Sequence, residues 1–383
     1  MGYDRLYFLK KAYALYPGVT RPVSASVLAA HYLSRRSHRG PLRAALDAIV
    51  GIAFLAWIPW RARTVQRKFG LDAAWRRRAI AIARARFADP NDIALFRIAE
   101  PDALDVYVRR FEDAALNKRI NPLGWTRACA LADKLRFYAR CRAAALPHPE
   151  TVAVVDHGRL DIVADPADRA LIAKPADGEG GDGVTLLGRF ATIADLAARL
   201  PESLLARSGA LVIQPYVRTH ADLADLALDA LPTVRIVTIL DEAGTPEAVS
   251  ATFRFASARG THVDNMKAGG LLAPVDLARG TLGLACKGYG GGDHATHPVT
   301  GAAITGRTLP LWDAAKALAI RAHATAFADY ILIGWDVAMT PDGPVLIEGN
   351  GKPGVLMPQR AARRGLCDGR YGQLLAFHLA MKA

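Results

Sequence analysis

The stretch that most limits how this chain can fold is residues 331–354, Ile-Leu-Ile-Gly-Trp-Asp-Val-Ala-Met-Thr-Pro-Asp-Gly-Pro-Val-Leu-Ile-Glu-Gly-Asn-Gly-Lys-Pro-Gly. The apolar, β-branched run 331–339 predicts a buried strand that carries one acid, Asp336. Thr-Pro-Asp-Gly is turn chemistry, and 345–348 predicts a returning strand, so the two form a hairpin. Asp336 sits inside the first strand. Glu348 and Asn350 close the second, two residues apart and so on one face. Two carboxylates buried together are costly unless a cation neutralises them. Hard oxygen donors without Cys or His suit Mg²⁺ that keeps waters and phosphate oxygens. The plainer alternative is that Asp336 caps a turn and Glu348 is solvated, but acids inside apolar strands are uncommon.

This stretch resembles the ATP-grasp superfamily, in which an acid on one strand and a Glu-x-Asn pair on the next hold the magnesium ions of ATP. Gly-Trp-Asp-Val followed by Gly-Pro-Val-Leu-Ile-Glu-Gly-Asn is most similar to the sugar-transfer-associated subgroup. The resemblance runs from about Asn117 to the C-terminus. It implies an α+β ATP-grasp fold, two α+β subdomains clasping ATP, behind a basic and mainly helical N-terminal region. It also implies ATP with a pair of Mg²⁺ ions on Asp336, Glu348 and Asn350, with Mn²⁺ an acceptable substitute. The expected divisions are residues 1–116, then 117–217 with a glycine-rich loop, then 218–383 with the metal hairpin.

Composition sets the class. The 383 residues are 51% hydrophobic and 22% charged, which describes an ordered chain long enough for two or three domains. Cys129, Cys141, Cys286 and Cys367 form no Cys-x-x-Cys pair. That argues against structural zinc and disulfides and favours a reducing cytoplasm. The net charge is +13, and residues 1–150 hold 27 Lys and Arg against 12 Asp and Glu. An excess confined to one end raises an anionic partner, with a solubilising surface as the alternative. Nothing points to a specific nucleic acid.

Residues 1–16 lack the apolar core of a secretory signal. The uncharged run 48–60 contains Pro59 and is shorter than the roughly 20 residues a span needs. Arginines flank it on both sides. Two readings stay open, a helix buried in the core or one whose Phe54, Trp57 and Trp60 meet anionic lipid headgroups. Further on, Asp72 predicts a cap for a helix over 73–88. Asp102 predicts a cap for a second carrying Leu104, Tyr107, Val108 and Phe111. Residues 117–124 read as a connection between domains.

A helix is expected over 127–145. Asp133-Lys134, with Leu-Pro-His-Pro-Glu-Thr after it, resembles the start of an ATP-grasp fold, which implies that Lys134 reaches the nucleotide phosphates. A strand over 170–175 ends in Lys174, followed by a glycine run. Gly178, Gly180 and Gly183 match G-x-G-x-x-G, yet the next residues are strand-like, so no helix presents its N-terminus to a pyrophosphate. No Lys-Ser/Thr follows either, which excludes a Walker loop. What remains is a glycine hairpin whose backbone N–H groups can fold over phosphate oxygens, with Lys174 beside it. The family pattern implies ATP contacts from Lys174, Gly178, Gly180, Gly181 and Gly183. It likewise implies an adenine pocket lined by Gln214, Tyr216 and Val217 after a helix over 192–207. Many members have Glu where Gln214 stands.

Strands over 231–240 and 248–255 carry Arg235 and Arg254 inside apolar stretches, where a guanidinium needs an anion. The family implies that they neighbour the transferred phosphoryl group. Asp264 and Asn265 match an Asp-Asn and Gly-Gly element and are candidate substrate contacts, with an Asx turn as the alternative. His294 and His297 read as part of a solvated loop. A helix over 311–330 leads into the hairpin, and the helical tail 359–381 carries Arg360, Arg363 and Arg364, read as solvated or as receiving an acidic substrate.

The resemblance implies an ATP-dependent carboxylate–amine or carboxylate–thiol ligase acting through an acyl phosphate. Its partners would be a small or carrier-bound acid and an amine. A phosphotransferase on the same scaffold is the alternative, and a non-catalytic nucleotide-binding protein at a membrane surface is a third. The expected location is the cytoplasm, peripheral to the inner face of the membrane if the basic region binds lipid.

Overall fold

The computed structural model describes residues 26–178, 183–260, 269–288 and 291–382. The N-terminal region is helical: α1 Ala29–Ser37, α2 Pro41–Phe69, α3 Ala73–Arg86 and α4 Pro90–Leu95. Asp72 caps α3 by accepting the Trp75 N–H at 2.6 Å. The helix expected behind Asp102 is instead a 3-10 turn, Pro101–Val106, followed by extended backbone at Tyr107. A new helix, α5 Arg110–Ile120, then starts because the Glu112 carboxylate accepts the Arg109 N–H at 2.8 Å.

The helix expected over 127–145 is shortened to α6 Lys134–Ala143, since Asp133 accepts the N–H groups of Leu135 and Arg136 and fixes a late start. Five antiparallel strands follow: β1 Ala153–Asp156, β2 Arg159–Ile162, β3 Arg169–Pro175, β4 Thr185–Phe190 and β5 Leu211–Pro215, in the order β2-β1-β5-β3-β4. Between β4 and β5 the expected single helix is two, α7 Ile193–Arg199 and α8 Glu202–Leu205, because Pro201 cannot donate within a continuous helix. After the short α9 Ala224–Ala227 comes the larger sheet. Its strands are β6 Thr233–Leu240, β7 Pro246–Phe255, β8 Leu271–Pro274, β9 Ala285–Lys287, β10 Asp293–His294, β11 Leu332–Thr340 and β12 Gly343–Asn350, ordered β10-β9-β8-β7-β6-β11-β12. Helix α10 Trp312–Ala326 precedes β11. The tail is not one helix but α11 Leu356–Ala362 and α12 Arg370–Ala380, parted at Arg363, whose φ is 55°.

Packing joins these parts. Phe137, Phe253, Phe255, Phe327 and Trp335 form the main core between α6, α10 and the larger sheet. The smaller sheet buries Leu171 and Ile213 against Leu196 of α7. Leu116 and Ile120 of α5 pack with Val237, Leu332 and Leu374, so α5, which runs through residue 117, is built onto the larger sheet. All four cysteines are buried and free.

Helix α2 divides the two readings of the 48–60 run between its two faces. Gly51, Phe54 and Ile58 are buried, while Ile49 is 63%, Ile52 69% and Trp60 57% exposed. By length and composition alone α2 could cross a bilayer, a test that core helices of soluble proteins also pass.

Candidate active site

Register places the site. Glu348, Asp336, Arg235 and Thr252 stand in one row across β12, β11, β6 and β7, and Thr233 pairs with Arg254 in a neighbouring row. Cross-strand partners point to the same side, so Asn350, Glu348, Asp336, Arg235 and Arg254 share one face. The sheet can bring Arg235 over this face because Gly334 has no side chain. A Cβ there would stand 3.1 Å from the Arg235 Cδ and 2.7 Å from Pro353.

Asp336 is 1% exposed. The Arg235 Nε and Nη2 donate to its two oxygens at 2.5 and 2.9 Å, and the Arg254 Nη2 donates at 3.0 Å. Burial favours the neutral acid, but the two guanidinium charges outweigh it and hold the Asp336 carboxyl well below the usual range. One anion that Arg235 and Arg254 meet here is Asp336, because strand pairing sets Arg235 directly beside it. Glu348 behaves in the opposite way. Burial first, then the charge of Asp336, push its carboxyl upward. Asn350 Nδ2 lies 3.5 Å from the Glu348 Oε1 and 3.4 Å from the Gly334 carbonyl.

The facing wall is cationic. Lys134 Nζ donates to the Gly178 carbonyl at 2.7 Å and stands 4.0 Å from Glu348. Lys174 is 8% exposed and makes no ion pair among the described residues. Burial, then the neighbouring Lys134, lower it to about 8, with Glu348 opposing. Lys134, Gly178, Glu348 and Asn350 line a cavity of about 140 Å³. Ala170, Tyr216, Val217 and Val345 line a cleft of about 640 Å³ farther along the seam between β3 and β12. That volume suits a nucleotide-sized ligand.

Gln214 is fully buried, donating to the Pro149 carbonyl at 3.2 Å and accepting from the Tyr138 hydroxyl at 3.3 Å. Its side chain is therefore committed to the interior, a correction to its expected role in the pocket. Gly183 has φ of 80°, the conformation that glycine takes most easily. Gly180, Gly181, Asp264 and Asn265 lie outside the described residues. His297 is not solvated, because its Nε2 bonds the Ala256 carbonyl at 2.8 Å within the core.

Sequence reasoning missed Asn121. Its amide donates to the carbonyls of Leu332 at 2.8 Å and Gly351 at 2.7 Å, and its oxygen accepts the Ile331 N–H at 3.0 Å. One side chain thus pins both ends of the β11–β12 hairpin. Asn before Pro122 signals only a turn, so nothing local reveals this.

Among the described residues no three His, Cys, Asp or Glu side chains gather as a metal cluster. The donor set is two carboxylates and an amide. Glu348, driven toward its protonated form by burial and then by Asp336, is where a divalent ion would replace a proton. The residues fit magnesium that shares its coordination with phosphate.

Two antiparallel sheets joined in sequence, with Lys174 on the smaller, Lys134 at the start of α6 and a carboxylate hairpin on the larger, define an ATP-grasp fold. The chain belongs to the sugar-transfer associated ATP-grasp family, whose profile matches residues 113–370. A search of curated proteins finds no match. Solved structures similar to it include D-alanine–D-alanine ligase from Bacillus anthracis complexed with ATP, at 13% identity, covering 66% of this chain and 69% of that one, with a TM-score of 0.38. A RimK domain ATP-grasp protein from Sphaerobacter thermophilus has 18% identity, coverage of 67% and 69%, and a TM-score of 0.33. An ATP-grasp superfamily protein from Archaeoglobus fulgidus has 13% identity and a TM-score of 0.35, over 64% of this chain and 54% of that one. The chain thus spans about half the length of the Archaeoglobus protein. At these scores the likenesses carry no argument about chemistry.

Proposed function

We propose that this protein is an ATP-dependent carboxylate–amine, or carboxylate–thiol, ligase that works through an acyl phosphate. Membership of an ATP-grasp family supports ATP-dependent ligation in general. The observation that carries the finer reading is the charge inventory among the described residues: Lys134, Lys174 and Arg235 gather around Glu348 and Asp336, three cations against two carboxylates. A buried excess of positive charge calls for a polyanion.

A carboxylate oxygen of the substrate attacks the γ-phosphorus, and the bond from phosphorus to the β–γ bridging oxygen breaks, releasing ADP. The amine nitrogen then attacks the acyl carbon, inorganic phosphate leaves, and the nitrogen loses a proton. Both reactants are anions in the first step, so catalysis comes from placing cations around the phosphoryl oxygens. Lys134 and Lys174 hold the phosphates from one side. Arg235 and Arg254 keep Asp336 ionised, and Asp336, Glu348 and Asn350 would hold the magnesium. Bound there, magnesium supplies Lewis-acid polarisation of phosphate oxygens. Gly178, Gly180, Gly181 and Gly183 are proposed to cover the phosphates. Tyr216, Val217 and the backbone at Gln214 are proposed to line the base, and Asp264 and Asn265 to meet the substrate.

The deciding experiment incubates the purified protein with ATP, Mg²⁺ and acid pools in hydroxylamine. Hydroxamate formed with ADP and phosphate supports the ligase. A stable phosphorylated product would replace it with the phosphotransferase, and nucleotide binding without turnover with any pool would favour the non-catalytic reading.

We propose a first division ahead of α5, near residue 109 and not at 116, because that helix packs on the larger sheet, a second near residue 217, and a cytoplasmic location. The anionic partner of the basic region is proposed to be a membrane surface. Leu42, Ile49, Ile52 and Trp60 form an uncharged exposed face of α2 that continues into Arg63 and Arg67. Such a face complements anionic headgroups above an apolar layer.

A further inference from the structure

Three arginines and one acid meet where the N-terminal region touches the edge of the larger sheet. Arg97 donates to both oxygens of Asp293 at 2.7 Å, and Arg363 Nη2 lies 3.0 Å from Asp293 Oδ1. Arg363 also donates to the Leu284 carbonyl at 2.8 Å. Arg360 is different. It is 4% exposed, yet its side chain makes no hydrogen bond or ion pair among the described residues, and its buried Nε has no partner.

The position of this cluster follows from strand register. Asp293 pairs with Cys286, Cys286 with Leu272, and Leu272 with Arg254, so all four side chains stand in one row on the face that carries Asp336. Helix α11 leaves the loop after Asn350 and lies over this row, with Met357 and Ala361 against Leu272 and Cys286. The Arg360 carbonyl is 4.0 Å from the Cys286 sulfur. Cys286 is two strand spacings from Arg254, about 10 Å. The cluster therefore lies on the same face of the sheet as Asp336, at the edge that α11 covers.

A buried guanidinium without an anion is unfavourable, and a Met of similar length would fill the space without that cost. Asp293 is already shared, since Arg97 donates to both of its oxygens and Arg363 Nη2 stands 3.0 Å from Oδ1, and no hydrogen bond joins it to Arg360. A planar donor fork suits an oxyanion. We propose that Arg360, flanked by Arg97 and Arg363, binds a second anionic group, carboxylate or phosphate, on the acid that the site activates. This rests on the ligase reading and narrows its substrate to an acid that carries a second anionic group away from the carboxylate being activated. The helical region takes part in recognition by supplying Arg97.

The test is calorimetric titration of inorganic phosphate, and separately of acetate, into the full-length protein saturated with Mg²⁺ and a non-hydrolysable ATP analogue. Saturable binding of one anion is expected, and which one distinguishes phosphate from carboxylate. Arg360→Gln should weaken it at least tenfold while analogue affinity stays within twofold. Arg360→Lys, which keeps the charge without the fork, should fall between. Equal affinity in wild type and Arg360→Gln overturns the proposal, as does the absence of saturable binding of either anion to the wild type. Loss of cooperative thermal unfolding in Arg360→Gln would assign a structural role and overturn it too. Should the analogue itself not bind, the ligase reading fails alone, because phosphate titrated into nucleotide-free wild type and Arg360→Gln still reads the cluster.

Discussion

Asp336 and Glu348 stand directly opposite each other on neighbouring strands, and the arginines neutralise only one of them. Asp336 takes three guanidinium hydrogen bonds, whereas the cation nearest Glu348 is Lys134 at 4.0 Å. The pair is thus unequal before any ligand arrives: Asp336 is a fixed charge and Glu348 is the exchangeable one.

Removing the fixed charge strands the Arg235 guanidinium, both of whose hydrogen bonds among the described residues go to Asp336. Asp336→Ala is expected to lower folding stability by about 3–5 kcal/mol, the usual cost of breaking a buried pair from one side. Glu348→Gln should leave stability nearly unchanged and lower ATP turnover about a hundredfold. Urea unfolding and ADP release measure the two effects separately. Equal destabilisation by both variants would contradict the asymmetry.

Lys174 gives the reverse pattern. Its ammonium is buried without an ion pair among the described residues, so Lys174→Met removes a charge that folding does not need. Stability should stay level or rise by about 1 kcal/mol. Affinity for the ATP analogue should fall by about 2 kcal/mol, the scale of a charge-assisted hydrogen bond. Unaltered affinity would remove Lys174 from the nucleotide site.

The hairpin was legible because its information is local. Alternation along a strand puts Glu348 and Asn350 on one face, and Pro341 with Gly343 marks the turn. The partner of Asp336 was not legible, because Arg235 lies 101 residues away and only strand register unites them. Helix lengths failed for a related reason. Apolar spacing continues smoothly through 192–207, and it takes Pro201 to end α7 and the caps at Asp133 and Glu112 to fix other starts. Arg360 shows the same limit, since a helical arginine reads as solvated until α11 is seen lying on the sheet.

Asp113 sets a pH dependence of stability. Burial, with the charge of Glu112 adding to it, raises its carboxyl to about 7 against the hydrogen bond from the Val355 N–H. The folded state therefore holds a proton that the unfolded chain releases near pH 4. Stability from this group is complete below that pH and is lost as pH rises through 7. Asp113→Asn keeps the acceptor for Val355 and removes the titration. It should raise stability at pH 8 by a few kcal/mol, on the order of three pKa units of linkage, and change little at pH 4. Denaturant midpoints at the two pH values check this, and equal shifts at both would refute it.

The exposed face of α2 yields a test at the membrane. Leu42 is 76%, Ile49 63% and Ile52 69% exposed, on the side of the helix away from Phe54 and Ile58. Asp47 is buried between Arg39 at 3.1 Å and Arg43 at 2.8 Å, so no acid interrupts the apolar face. The wild-type protein should co-sediment with vesicles of phosphatidylserine and phosphatidylcholine, bind phosphatidylcholine alone weakly, and release as salt rises. Burying each isoleucine in lipid is worth about 1.5–3 kcal/mol. The double substitution Ile49→Glu and Ile52→Glu should therefore weaken vesicle binding by at least tenfold while the unfolding midpoint holds. Binding that ignores both anionic lipid and the substitutions would sink the lipid surface as partner. A wild-type dimer in sedimentation equilibrium that the same substitutions dissolve would instead make this face a contact between two copies of the chain.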